Sequence, residues 1–229
     1  MAFIHSPKIV TDGLVLALDA GNVKSYISGS TIINDLTGNN STGSLQGGVG
    51  YSGSNGGTLV FDGVNDFVIG STSTNYAFGT QNFTANFWVY ANTYGGGGGA
   101  PIIDLRTNTA GTGPGFSAYL SNSKKYALYW GSADKYVSTT NIETGSWYNI
   151  VSTRSGSTLS VYINSVLDGT GSDSTNLTEN LFRLARNVNT SGTSYLNGRI
   201  SYVLLYKGKA LSSSEIAQNF NATRGRFGL

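Results

Sequence analysis

The chain has 229 residues and a formal net charge of +2, with 14 basic residues, 12 acidic residues, one histidine and no cysteine. That inventory excludes a disulfide framework, a thiolate zinc site and a cysteine nucleophile. A charge so small and so evenly spread offers no polyanion-binding surface, so nucleic acid is not an expected partner. Glycine, serine, threonine and asparagine supply 107 residues, nearly half the chain. This favours turns and strand edges over a helical bundle, while 39% hydrophobic and 12% aromatic residues can fill a core and argue against wholesale disorder. The first ten residues lack the basic n-region and apolar run of a signal peptide. No stretch approaches the ~18 apolar residues of a membrane helix, so membrane insertion is not expected. The absence of cysteine favours assembly in a reducing cytoplasm.

The first periodic segment is Asp12 to Asp19, where Leu14, Leu16 and Leu18 recur at period two and a partly apolar second face implies cover on both sides. Thr58 to Ile69 reads as two short strands about a turn at Asp62-Gly63. Phe83, Ala85, Phe87 and Val89 alternate with Thr84, Asn86, Trp88 and Tyr90. Gly95 to Gly99 follow, five glycines whose backbone entropy no packed element would tolerate. Alternation resumes at Tyr126, Leu128 and Trp130, again at Trp147, Asn149 and Val151, and at Leu159, Val161 and Ile163, with a closing turn expected at Asp168-Gly169. Leu196 to Tyr206 is the last long strand. Strands spaced by turn residues in this way indicate a sandwich or barrel. Phe87, Trp147, Val151, Val161 and Ile163 are the residues expected in its core.

One helix is expected. Ser212 to Glu215 has capping-box spacing, and Ile216 and Phe220, four apart, share a buried face over roughly two turns. Asn221 to Leu229 carries basic Arg224 and Arg226 and an apolar Phe227 without evident periodicity. The sequence therefore divides into an N-terminal arm (1–11), one sandwich domain (12–220) and a C-terminal arm (221–229). The arms' expected assembly contacts are Ile4, Arg224, Arg226 and Phe227.

Four segments, in order, resemble the laminin-G-like domains of the concanavalin A-like lectin/glucanase superfamily. They are Phe61-Asp-Gly-Val-Asn-Asp-Phe-Val68, Phe83-Thr-Ala-Asn-Phe-Trp-Val89, the stretch from Trp147 through Arg154 to Asn164, and Tyr195 to Ile216. The resemblance implies an all-β jelly-roll sandwich of two curved antiparallel sheets with one short C-terminal helix. It also raises calcium, which many such domains hold on one rim through an aspartate, loop carbonyls and a second acid. By motif match the metal candidates are Asp62 and Asp66. Where the family's closing strand places acids, this chain has Ser201 and Tyr202, with Arg199 adding positive charge. The competing reading of Asp62-Gly63 is a β-turn in which Asp62 bonds its own backbone.

Catalysis is not expected. Glycoside hydrolysis needs a pair of carboxyl groups set across one cleft, and the superfamily's glucanases carry alternating acids on one strand. Here Glu143, Glu179 and Glu215 are the only glutamates and each is isolated, while His5 is the sole histidine. No triad, histidine metal cluster or Gly-x-Ser-x-Gly elbow can be assembled. The glycine run lacks the Lys-Ser/Thr of a P-loop and reads either as a rim loop or as a spacer. Residues 13–22 and 215–228 look like segments of bacteriophage virion proteins with lectin-like sandwiches. The expectation is therefore a non-enzymatic virion structural protein, as capsid decoration or fibre component, made in the host cytoplasm. Its expected partners are other virion proteins, further copies of itself and a host surface polysaccharide. The alternative is a carbohydrate-binding adhesin module whose glycan-contacting residues the sequence leaves open.

Overall fold

The computed structural model describes residues 8–95, 98–107, 109–110, 112–188 and 194–229. In chain order the strands are β1 (Leu14–Asp19), β2 (Ile32–Ile33), β3 (Gly43–Gln46), β4 (Gly50–Ser52), β5 (Thr58–Asp62), β6 (Phe67–Thr72), β7 (Phe83–Ala91) and β8 (Ala100–Asp104). They continue as β9 (Ser117–Leu120), β10 (Tyr126–Trp130), β11 (Ala133–Val137), β12 (Trp147–Ser155), β13 (Thr158–Ile163), β14 (Val166–Ser172), β15 (Leu181–Leu184) and β16 (Asn197–Lys207), before a helix α1 (Ser213–Thr223). Two eight-stranded sheets result. The first runs β14-β13-β12-β7-β16-β5-β4, with β1 also on β16, and the second runs β11-β10-β9-β8-β15-β6-β3-β2. Every strand pair described is antiparallel. The expected all-β sandwich with one C-terminal helix is the observed architecture.

Leu16, Phe61, Phe83, Phe87 and Val161 of the first sheet meet Val68, Ile102, Leu120, Leu128 and Trp130 of the second in one core. A second apolar layer lies on the other side of the first sheet. There Trp88, Val151, Leu204 and Tyr206 meet Ile216 and Phe220 of α1. Hence β7 is buried on both faces, and its alternation separates two apolar environments rather than core from water. A bulge between Leu14 and Leu16 in β1 has the same effect, sending Leu16 and Leu18 to the inter-sheet core and Leu14 to the helix side. The run Thr58 to Ile69 does form two strands, but they belong to different sheets, so the Asp62-Gly63 turn carries the chain from one layer to the other.

Four local expectations are corrected. The turn after β13 falls at Asn164 and Ser165, which adopt φ of 52° and 65°, whereas Asp168 is the extra residue of a bulge inside β14. There its carboxylate accepts from Tyr136 Oη (2.6 Å) and from the N–H groups of Thr139 and Thr140 (2.8 Å each), so it clamps the end of β11 and the residues after it to β14. Trp147 is half-buried, because its indole N–H reaches Asn55 Oδ1 at 3.2 Å near the surface. The helix has 11 residues, with the expected capping box at Ser212 and Glu215, and continues into a 3-10 turn at Arg224–Phe227.

That continuation overturns the free C-terminal arm. Ile216, Phe220, Thr223 and Phe227 stand four, three and four residues apart and extend one apolar stripe to the chain end. The Phe227 ring stacks 3.9 Å from that of Trp88 and lies 4.8 Å from that of Trp147. Thr223 Oγ1 accepts from the Trp88 indole at 2.9 Å. Arg226 bonds within the sandwich, and Arg224 lies over the Phe220 ring. At the other end, Val10 N–H donates to Asn219 Oδ1 (2.8 Å) and Gln218 Nε2 donates to the Lys8 carbonyl (2.6 Å), so residues 8–10 also lie against α1. Ile4 lies outside the described residues.

Candidate functional site

The two sheets differ in what covers their outward faces. The first lies under α1; among the described residues the second carries no helix, and its outward side chains line a pocket of about 340 Å³. Strand alternation builds it. Ala118 and Leu120 of β9 point into the core, which turns Ser117 and Tyr119 outward, while Tyr126, Leu128 and Trp130 of β10 point inward and release Tyr129. Arg106 follows β8, and Asn122 and Asn187 enter from loops. Gly98 and Gly99 form one edge. At Gly99 (φ +74°) a Cβ would stand 2.7 Å from the Tyr119 ring, so only glycine lets the loop pack there. The glycine run thus reaches a rim beside a concavity, although Gly96 and Gly97 lie outside the described residues.

The charges at this pocket are internally matched. Asp104 is fully buried and takes a two-pronged contact from Arg106, with Nε to Oδ1 at 2.8 Å. It also accepts from the backbone N–H groups of Arg106 and Val188, each at 2.9 Å. The Arg106 guanidinium lies 5.0 Å over the Tyr129 ring. Tyr119 Oη donates to Asp134 Oδ1 at 2.9 Å. Burial, with this hydrogen bond to a carboxylate, pushes the Tyr119 phenol upward and keeps it a neutral donor. The result is a floor of aromatic edges, hydroxyls and amides in which the Arg106 charge is paired with Asp104. Such a surface suits binding by stacking and hydrogen bonding. Sequence reasoning left these residues unnamed, yet a signal existed: both tyrosines occupy the outward phase of an alternating strand, where a small polar residue is the ordinary choice.

The other candidates lie elsewhere. Asp62 Oδ1 accepts from Val64 N–H (2.7 Å) and Asn65 N–H (3.3 Å), and these bonds hold its carboxyl below the usual range. Asp66 is buried, accepts from Asp62 N–H at 3.1 Å, and is pushed upward by burial. The geometry is that of a backbone-bonded turn. A hard cation wants six to eight oxygens and several carboxylates, whereas among the described residues no group of three or more acidic, histidine or cysteine side chains forms. This pair does not fit calcium. Ser201 is buried and donates to the Gly57 carbonyl at 2.7 Å, and the Arg199 guanidinium stacks over Tyr90. The three glutamates serve three separate structures: Glu143 pairs with Lys124, Glu179 accepts from Thr107, and Glu215 caps α1. His5 lies outside the described residues. No helix of the described chain is long and apolar enough to cross a membrane.

The architecture is shared with known structures. The binding domain of Paraclostridial Mosquitocidal Protein 1 superposes with a TM-score of 0.68 at 18% identity, covering 92% of this chain and 52% of that one. Domain 4 of AbnA, a GH43 extracellular arabinanase from Geobacillus stearothermophilus, in complex with arabinotriose, gives 0.67 at 19%, covering 90% and 97%. Trypanosoma rangeli sialidase in complex with sialic acid gives 0.68 at 19%, covering 95% of this chain and 34% of that one. The chain thus spans about half of the toxin domain and a third of the sialidase, and nearly all of the arabinanase domain. Among curated proteins none matches. The family model of the concanavalin A-like lectin/glucanases superfamily matches residues 62–217, from the turn between the sheets to the first turn of α1. With that match spanning most of the sandwich just described, the chain belongs to the concanavalin A-like lectin/glucanases superfamily.

Proposed function

We propose that this chain is a non-enzymatic virion structural protein, a capsid decoration or fibre component, whose lectin-like sandwich contacts surface glycan through its uncovered face. The observation that carries the glycan reading is the pocket on the second sheet, where Tyr119 and Tyr129 point outward among Ser117, Asn122 and Asn187. A sugar offers apolar C–H faces and a fringe of hydroxyls, and this surface offers aromatic rings beside hydrogen-bonding groups. The virion reading is supported by the resemblance of residues 13–22 and 215–228 to phage structural proteins. A carbohydrate-binding module acting as an adhesin is the second reading, favoured by similarity along nearly the whole length of an arabinanase domain solved with arabinotriose.

A glycan array probed with the full chain, with and without calcium, tests recognition. The expected result is binding to at least one glycan class that Tyr129→Ala weakens tenfold or more, a loss of about 1.4 kcal/mol. No binding at millimolar sugar would remove the glycan role. Mass spectrometry and immunogold labelling of purified particles test the virion role, which absence from the particles would overturn while leaving the adhesin reading standing.

A further inference from the structure

Arg226 stands three residues before the C-terminus, yet its guanidinium donates to five oxygens from three segments. One nitrogen meets Asp19 Oδ1 at 2.9 Å, Nε meets the Asn55 carbonyl at 3.2 Å, and the other terminal nitrogen meets the Gly56 carbonyl (3.2 Å), the Gly57 carbonyl (3.3 Å) and Ser201 Oγ (2.9 Å). The cage is reinforced from behind. Ser201 Oγ donates to the Gly57 carbonyl, and Asn55 Nδ2 donates back to the Arg226 carbonyl at 3.0 Å. It is also shaped for its occupant. A Cβ at Gly21 would overlap both the Gly56 carbonyl and the guanidinium, and a Cβ at Gly56 would stand 2.8 Å from Arg226 Nε.

One carboxylate, three carbonyls and one hydroxyl surround the guanidinium, oxygens of the kind a hard divalent cation takes but with one carboxylate where such an ion wants several. Here the centre is a side chain. We propose that Arg226 is a tethered cation that takes the place of a metal ion at this rim, joining the end of β1, the 55–57 loop and β16 to the C-terminal turn. The planar, weakly hydrated guanidinium reaches all five oxygens, with the two hydrogens of one terminal nitrogen shared among the Gly56 and Gly57 carbonyls and Ser201 Oγ. With Asp19 as the sole carboxylate in contact among the described residues, a single positive charge balances the cage, whereas a dication would leave it in excess. The rim is therefore independent of calcium in the native chain. It becomes a divalent-cation site when the guanidinium is removed and a second carboxylate is placed at Ser201. This inference stands apart from the glycan reading and uses none of its residues.

The test compares wild type, Arg226→Ala, the double variant R226A/S201D and Asp19→Asn, each as the full chain, by thermal unfolding in calcium and in chelator and by terbium luminescence. Wild type is expected to melt at the same temperature in both buffers, and Arg226→Ala to melt lower in both. R226A/S201D is expected to gain calcium-dependent stability, roughly 5–10 °C at calcium 100-fold above its Kd, together with terbium binding. If alanine prevents folding, Arg226→Gln with S201D serves in its place, with a smaller gain expected. A folded double variant that binds neither ion overturns the proposal. So does a calcium-dependent rise in the wild-type melting temperature that Asp19→Asn abolishes.

Discussion

Truncating Phe227 to alanine tests whether the chain end belongs to the fold. The ring is 7% exposed and is packed between Trp88 and Trp147. An aromatic side chain that buries about 150 Å² contributes, at ~25 cal/mol per Å², close to 4 kcal/mol, of which alanine keeps a part. Loss of the aromatic pairing adds ~1 kcal/mol, and relaxation of a chain terminus into the gap returns some of it. The expected cost is about 3 kcal/mol. In a chain of this size, that lowers the melting temperature by roughly 6–12 °C. Differential scanning calorimetry measures the shift, and near-ultraviolet circular dichroism should show the Trp88 signal altered at temperatures where the variant is still folded. A melting temperature within about 2 °C of wild type would refute the claim that the C-terminal turn is part of the second core.

Two further perturbations probe named contacts. The Asp168 carboxyl is lowered from 3.8 to about 2 by hydrogen bonds from Tyr136, Thr139 and Thr140 that outweigh its burial. A depressed carboxylate stabilises the fold above its unfolded pKa and loses that contribution as pH falls from about 4 towards 2, here ~1–2 kcal/mol after allowance for solvent screening. Asp168→Asn should flatten that limb of the stability profile in acid-denaturation curves, and an unchanged limb would sink the assignment. Arg154 is fully buried and donates to the carbonyls of Gly79, Gln81 and Thr175 while lying over the Phe83 ring. Arg154→Met removes the donor to the Gln81 and Thr175 carbonyls, Gly79 keeping the Leu177 N–H, and should cost about 3 kcal/mol in chemical denaturation, with a loss below ~1 kcal/mol counting against the role.

How far the sequence disclosed this molecule depends on the kind of signal each element carries. Period-two alternation located most of the long strands, since each separates two environments. It could not say which environments: Trp88, in the phase opposite Phe87, is buried against Phe220 of α1 and Phe227 rather than in the core between the sheets. Hairpin turns were less legible. Asp168-Gly169 has favoured turn chemistry, yet Asn164 and Ser165 take the left-handed conformations, while Asp168 is the extra residue of a bulge and Gly169 pairs with Val161 inside β14. The C-terminal segment reads as an arm because residues 221–229 show no evident periodicity of their own, although Phe227 continues the spacing of Ile216, Phe220 and Thr223. Of the pocket, only the glycine run was visible beforehand. The ion pair of Asp104 with Arg106 is local, two residues apart, but its burial beside Val188 and the approach of Asn187 depend on a segment distant in sequence, whose neighbours no local pattern records.

The docking of residues 8–10 against α1, beside the packed C-terminus, gives the molecule a polarity. Both described chain ends emerge from the covered side of the sandwich, while the tyrosines look out from the other. Whatever holds the chain by its C-terminus, a neighbouring protein or an affinity tag on a sensor surface, therefore leaves the pocket pointing away from the support. Immobilisation through the C-terminus is accordingly the orientation in which a weak, multivalent ligand can be measured without obstruction.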